Sequence, residues 1–365
     1  MNGPQFIATA AICFLIIASI LITLHELGHY TAARVFGLKA KAFSFGFGPE
    51  LIGVTDKYGT RWKICPIPLG GYCSFHGEMH PNSGSDEEAA HDASFAKLAR
   101  WKRAIIVFAG PFVNVLICAA VMGGLFAVYG EPQLSSLIKD VTPGSPAAVA
   151  GIRTGDRIMS WNGNRPNGDQ SLLRYIKLNP DTDLTVVVAR HGQQPTLHHI
   201  HIARAHTVDR FGNKADIGRV GVLFDTFLQP IRNPLVLAGH AARESLNMFV
   251  VQAKTIAQFV EGRRSVDELA GPVRLAKTAA EQYLKGWTAL VYFTGVLSIA
   301  VAFMNLLPIP GLDGGLLALY AIEGVMGHDL SRKVFARVLK TGYACVVVLM
   351  VFAFSNDFRV LLVGG

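Results

Sequence analysis

Four stretches of this chain run without charge for long enough to cross a membrane or nearly so. Met1 to Leu24 holds no charged residue, and Phe6–Leu24 is apolar apart from Thr9, Ser19 and Thr23. As a helix that run spans about 30 Å of hydrocarbon. A second stretch, Ala104 to Gly130, is led by Arg100, Lys102 and Arg103, and a third, Gly286 to Leu312, ends at Asp313. The fourth, Thr341 to Asn356, is shorter and must borrow flanking residues such as Val338 to span. A secretory signal peptide is the alternative for the first stretch. Against it, no basic residue precedes the apolar run and no small-residue cleavage pattern follows. The pattern predicts a polytopic α-helical membrane protein of about four transmembrane helices, two within 1–130 and two within 286–365.

The intervening segments alternate differently. Residues 40–75 read as β-structure: Lys41–Leu51, a turn near Asp56–Gly59, then Arg61–Tyr72, with alternation in Arg61-Trp62-Lys63-Ile64 supporting a membrane-associated hairpin. The Gly70-Gly71 pair permits close approach of another backbone. Residues 131–225 carry short strand and turn signals, such as Leu184–Arg190, the turn His191-Gly192 and Leu197–Ala203. Within them, the run from Gly144-Ser145-Pro146 through Gly151 to Gly155-Asp156-Arg157-Ile158, continued by Trp161-Asn162-Gly163, resembles a bacterial PDZ-like domain. That resemblance implies an α+β domain that takes an extended peptide or chain end by strand addition; an unrelated small β-domain with a helix is the alternative. Residues 226–285 space Leu246, Phe249, Val250 and Ile256 as a helix does and break at Gly271-Pro272. They are expected to be amphipathic extracytoplasmic helices, lying on the outer membrane surface or the PDZ-like domain.

Composition sharpens the membrane reading. Only 16% of residues are charged, against about a quarter in soluble domains. The net charge of +8 gathers beside the apolar stretches, which speaks for orientation on anionic lipid and against nucleic acid. The link between the first two spans carries Arg34, Lys39, Lys41, Lys57, Arg61, Lys63, Lys97, Arg100, Lys102 and Arg103. The link between the last two carries Arg332, Lys333, Arg337 and Lys340. Both are expected on the cytoplasmic side, leaving both termini and the 131–285 segment outside. Five cysteines, with no CxxC among them, argue against a disulfide framework or a cysteine zinc site, although Cys65 and Cys73 remain a candidate pair.

The chemistry is concentrated at the end of the first span. His25-Glu26-Leu27-Gly28-His29 fits H-E-x-x-H, a spacing that puts both imidazoles on one helix face with a carboxylate able to act as general base for a hydrolytic water. Ionisable groups at that depth are costly and argue for function. Catalytic zinc takes three protein ligands and keeps one open position, so a third ligand is needed. Asp313 closes the third stretch, in Met304-Asn305-Leu306-Leu307-Pro308-Ile309-Pro310-Gly311-Leu312-Asp313-Gly314-Gly315, where prolines and glycine break the helix. It reads either as that ligand or as the N-cap of the next helix. Asn114 and Asn305 are the polar residues available to polarise a carbonyl, and for Asn114 a helix–helix hydrogen bond is the simpler reading.

H-E-L-G-H in the first span and N-L-L-P-x-P-x-L-D-G-G in a later one resemble the site-2 protease family of intramembrane zinc metalloproteases, in its bacterial branch that cleaves membrane-anchored anti-sigma factors. Phe45-Gly46-Phe47-Gly48-Pro49, Pro68-Leu69-Gly70-Gly71-Tyr72, Ala109-Gly110-Pro111-Phe112-Val113-Asn114 and Gly271-Pro272-Val273-Arg274-Leu275-Ala276 match as well. The resemblance implies one Zn2+ per chain on His25, His29 and Asp313, with Glu26 as base. It implies that Asn305 and the hairpin ending at Gly70, Gly71 and Tyr72 hold an extended substrate, a single-span membrane protein or a remnant signal peptide. The setting it implies is a bacterial inner membrane, the active site near the cytoplasmic face and the PDZ-like domain outside. Two departures stand out: room for one PDZ-like domain where well-known relatives have two, and Leu316 where relatives often have histidine. A catalytically silent scaffold presenting the PDZ-like domain, and a channel or transporter lined by the intramembrane polar groups, are the competing readings.

Overall fold

The computed structural model describes residues 3–76, 95–165, 171–208, 214–261 and 270–363. Its contacts separate into two compact units, one of residues 1–123, 238–257 and 269–365, the other of residues 124–237 and 258–268.

In the first unit, α1 (Gly3–Val35) leads to a small sheet of β1 (Ala40–Phe47), β2 (Ile52–Thr55), β3 (Arg61–Ile64) and β4 (Ile67–Phe75), and then to α2 (Arg100–Tyr129). After the second unit come α6 (Pro272–Leu284), α7 (Trp287–Leu306), α8 (Asp313–Met326) and α9 (Arg332–Val363). Among the described residues four helices are long and apolar enough to cross a membrane: Gln5–Val35, Arg100–Tyr129, Trp287–Leu306 and Arg332–Arg359. The last resolves the short fourth stretch. Its first turns are amphipathic, with Phe335 and Leu339 buried and Arg332, Lys333, Arg337 and Lys340 outside, so the helix starts well before the apolar run.

Where the sequence suggests one hairpin, four strands form in the order β2-β3-β1-β4. Pro66 cannot donate to a ladder and splits the expected second strand into β3 and β4, while the expected first strand stops short of Pro49 and β2 forms beyond its end. β2 and β3 make the hairpin, and its turn is fastened by Asp56: Oδ1 accepts from the amides of Tyr58 and Thr60, and Oδ2 accepts from the Trp62 indole at 3.0 Å. β3 then runs parallel to β1 (Phe43 beside Trp62), while β4 runs antiparallel to β1 (Phe43 beside Cys73). Phe43 is fully buried in a core with Ala33, Leu38, Phe75, Ile106, Tyr320 and Phe335, which fixes the sheet to the helices; truncating such a phenylalanine costs roughly 3–5 kcal/mol. Ser19 Oγ donates to the Pro68 carbonyl at 2.5 Å, so β4 lies along α1.

Two polar clasps join elements far apart in sequence. Arg100 Nε and Arg103 Nη2, on the first turns of α2, donate to Asp329 Oδ1 between α8 and α9 at 2.7 and 3.1 Å. The Arg100 hydrogen bond, working against some burial and aided by Arg103, holds the Asp329 carboxyl below the usual carboxylate range. In α9, Asp357 is fully buried and caps α6: it accepts from the amides of Gly271, Val273 and Arg274 and from Arg274 Nε at 2.6 Å. Ala279 and Ala280 of α6 are wholly buried, and Ala279 packs with Ile17, Leu21, Phe293 and Leu297 of α1 and α7.

The second unit holds β5 (Glu131–Val141), α3 (Pro146–Val149), β6 (Arg157–Trp161), α4 (Ser171–Leu178), β7 (Asp183–Ala189), β8 (Thr196–His201), β9 (Ala203–Val208), β10 (Lys214–Arg219) and β11 (Val222–Gln229). Five strands form a sheet ordered β11-β5-β6-β7-β8, and β9 pairs with β10. Alternation along β7 buries Leu184, Val186 and Val188 against Leu172 and Ile176 of α4. Asp156 is buried and receives Arg190 Nε and Nη2 at 2.7 and 2.8 Å. α5 (Pro234–Val260) follows β11.

A candidate metal centre between three helices

His25 and His29 sit one turn apart near the end of α1, their rings edge-to-face with centroids 4.8 Å apart. Their Nε2 atoms lie 3.1 Å from each other. Asp313 Oδ2 comes to 3.1 Å from His25 Nε2 and 3.5 Å from His29 Nε2. Asp313 does not cap α8: the N-cap is Leu312, with no side-chain cap bond, and the Asp313 carboxylate points at the imidazoles instead. Its approach depends on glycine. A Cβ on Gly314 or Gly315 would strike the carbonyls of Leu306 or Ile309, and Gly311 takes φ +97°, so the Pro-Ile-Pro-Gly turn folds tightly against the start of α8.

α2 forms the floor of the centre. A Cβ on Gly28 would stand 2.6 Å from the Ala109 carbonyl oxygen, and one on Gly110 would strike His29 Nε2 and lie 2.8 Å from His25 Nε2. His29 Nδ1 donates to the Ile106 carbonyl at 2.8 Å. The Asn114 amide lies 3.2 Å from His25 Nδ1, while Ser298 Oγ of α7 donates to the Asn114 carbonyl at 2.8 Å. The helix–helix hydrogen bond expected of Asn114 thus ends on a histidine of the centre. Glu26 is anchored from the opposite side: its Oε2 accepts from the Cys73 amide of β4 at 2.9 Å.

The other residues singled out by sequence fall nearby in different ways. Gly70 (φ +131°) and Gly71 approach their own sheet, since side chains there would meet the Phe47 ring and the Ser44 carbonyl. Tyr72 pairs with Ser44 and stacks on Phe47 at 6.3 Å. Asn305 is half-buried on the last turn of α7. Cys65 and Cys73 do not form a disulfide, nor do the other three cysteines. Sequence reasoning gave no role to Gly110, the Ile106 carbonyl or the Cys73 amide. The signal was the conspicuous Ala109–Asn114 motif, but backbone partners leave no residue type to read.

The donor set fits zinc. Two imidazole nitrogens and one carboxylate oxygen face each other at 3.1–3.5 Å, and zinc ligands at about 2.0–2.2 Å in tetrahedral array stand about 3.3 Å apart. Asp313 Oδ2 is buried with no hydrogen-bond partner besides the imidazoles. Among the described residues this is the single group of three histidine, cysteine or acidic side chains close enough to share an ion.

The family model described as peptidase family M50 matches residues 13–349. The chain belongs to peptidase family M50. Its relatives match over nearly their whole length. An Agrobacterium fabrum protein whose name assigns it to the zinc metalloproteases is 36% identical over 375 residues, covering 99% of each chain. A similarly named protein of Rhizobium meliloti is 35% identical, covering 94% of this chain and 95% of its own. Metalloprotease MmpA of Caulobacter vibrioides is 30% identical, covering 95% and 94%. Among solved structures, the PDZ domain of an SdrC-like protein from Listeria monocytogenes covers 25% of this chain and 86% of that chain. At 19% identity and a TM-score of 0.19 the likeness is too slight to carry a fold assignment. As an M50 peptidase the chain is a zinc-dependent metalloprotease of the membrane.

Proposed function

We propose that this M50 peptidase cuts single-span membrane proteins within their membrane-spanning segments, at a zinc ion held by His25, His29 and Asp313. The observation that carries the reading is the meeting of three ligand atoms 3.1–3.5 Å apart, beside Glu26, near the end of an apolar span. Zinc bound there supplies Lewis acidity, polarising the scissile carbonyl and making a water molecule a stronger acid. Glu26 takes the proton of the attacking water and later delivers it to the leaving amine nitrogen. The Cys73 N–H orients one carboxylate oxygen and leaves the other free for that transfer. A helical substrate hides its peptide bonds, so the cut segment must first unwind. The edge of β4, with Gly70, Gly71 and Tyr72, offers replacement hydrogen bonds for the unwound strand, and Asn305 an amide from the facing side.

The Lys and Arg distribution supports an orientation with this centre towards the cytoplasmic face and the second unit outside, in a membrane we take to be the bacterial inner membrane. There the PDZ-like reading gives a binding site between α4 and β11, a cavity of about 440 Å³ in which Lys177 and Arg219 suit the carboxylate of an extended chain end. Such an end is what a first cut outside the membrane leaves behind. Anti-sigma factors are the substrate class this reading favours, with remnant signal peptides as further candidates. The test is a proteomic comparison of cells carrying wild-type protein or Glu26→Gln. Accumulated membrane stubs that vanish on restoring glutamate are expected; unchanged processing would leave a silent scaffold instead.

A further inference from the structure

The geometry around His25 points to a role for Asn114 beyond joining helices. Asn114 is completely buried in α2, and its backbone is pinned by Ser298. Its amide stands with Nδ2 3.2 Å from His25 Nδ1, and its Oδ1 is buried without a partner. That orientation suits a ring proton on Nε2, facing Asp313 Oδ2 at 3.1 Å. When Nε2 serves as a metal ligand, however, its lone pair must be free and the ring proton must sit on Nδ1. Nδ1–H then needs an acceptor, and among the described residues the side chain that meets it is Asn114. A half-turn about the terminal side-chain torsion exchanges the two ends of an amide at little steric cost. It brings Oδ1 to the place where Nδ1–H can donate to it.

Resting on the ligand set proposed above, we propose that Asn114 is a positioning residue that holds His25 in its metal-ligating tautomer through an Nδ1–H···Oδ1 bond. His29 shows the same design with a different acceptor, its Nδ1 being fixed by the Ile106 carbonyl about two turns earlier in α2. α2 therefore supplies the outer hydrogen bond of both imidazoles, from a main-chain oxygen for one and a side-chain amide for the other. The side-chain amide can turn over, so His25 accepts either ring proton position at the same site, and only one of them leaves Nε2 free.

The experiment measures zinc dissociation constants of the purified full-length protein in detergent by chelator competition, alongside the Tm of each metal-stripped protein. Asn114→Leu removes the acceptor at similar volume and is expected to weaken zinc binding about 10- to 100-fold, with little change in the metal-stripped Tm. Asn114→Asp keeps an acceptor and is expected to bind zinc within about threefold of wild type. Should leucine not be accommodated, Asn114→Ala removes the acceptor without steric load and carries the same expectation. Wild-type zinc affinity in the Leu or Ala variant would overturn the inference, as would equal losses in Leu and Asp. His25→Ala serves as control: if it too keeps its zinc, the ligand set has failed, whereas loss there and retention in Asn114→Leu condemns only the role of Asn114.

Discussion

Replacing Gly110 by alanine adds one methyl group to the floor of the metal centre and tests the construction most directly. The new Cβ would stand 2.5 Å from His29 Cε1 and 2.8 Å from His25 Nε2, where ordinary contact begins at 3.4 Å. With His29 Nε2 closer still, the rings must retreat by about 1 Å. Neither can rotate away freely, because His29 is tied to the Ile106 carbonyl and His25 to the Asn114 amide. A misplacement of about 1 Å at a reacting centre costs on the order of 100-fold in rate, or about 2.7 kcal/mol of barrier. Stability should move the other way or not at all, since alanine is favoured over glycine within a helix by about 1 kcal/mol. The assay is kcat/KM for a single-span reporter in reconstituted membranes, with Tm in parallel. Gly123→Ala is the control: it lies on the same helix, where a Cβ meets Ala241 at an ordinary 3.5 Å. Gly110→Ala activity within threefold of wild type, or a Tm collapse that accounts for the loss, would refute the reasoning.

Other outcomes follow from the same geometry. Asp313→Asn should lose zinc, read by metal analysis, because a neutral amide replaces the sole anionic ligand. Asp357→Ala should destabilise the protein by about 3–5 kcal/mol, read by thermal unfolding in detergent, because it takes a buried carboxylate away from the Arg274 guanidinium and three backbone amides. The clasp at Asp329 should depend on acid. Because that carboxyl is held below its ordinary value, its contribution is complete above about pH 4 and drains away as the pH falls further. The Tm gap between wild type and Asp329→Asn should narrow in that window and stay constant above it.

Much of this was legible in sequence because it is local. Uncharged runs give the spans through length alone, and H-E-x-x-H gives a pair of imidazoles on one face through helical periodicity. Asp313 was harder: next to Gly314 and Gly315 it also reads as a cap, and the tight turn of Pro308 to Gly311 decides where its carboxylate points. The parallel pairing of β1 with β3 was not legible, since it joins strands that are not adjacent in the chain and depends on a tertiary contact, Phe43 on Trp62. Nor was the clasp between Arg274 and Asp357, whose partners lie on different helices. Gly110 shows the limit clearly, because what matters there is the absence of a side chain beneath rings from another helix.

The ligand set also imposes an order on biosynthesis. His25, His29 and the α2 residues beneath them emerge from the ribosome early, while Asp313 comes near the end of the chain. Until it arrives, the nascent protein holds a two-histidine half-site without its anionic member. On the proposed ligands, proteolytic competence therefore awaits insertion of the third span. A truncated or stalled chain would sit in the bilayer unarmed, and the membrane's own proteins are spared the attention of half-built protease.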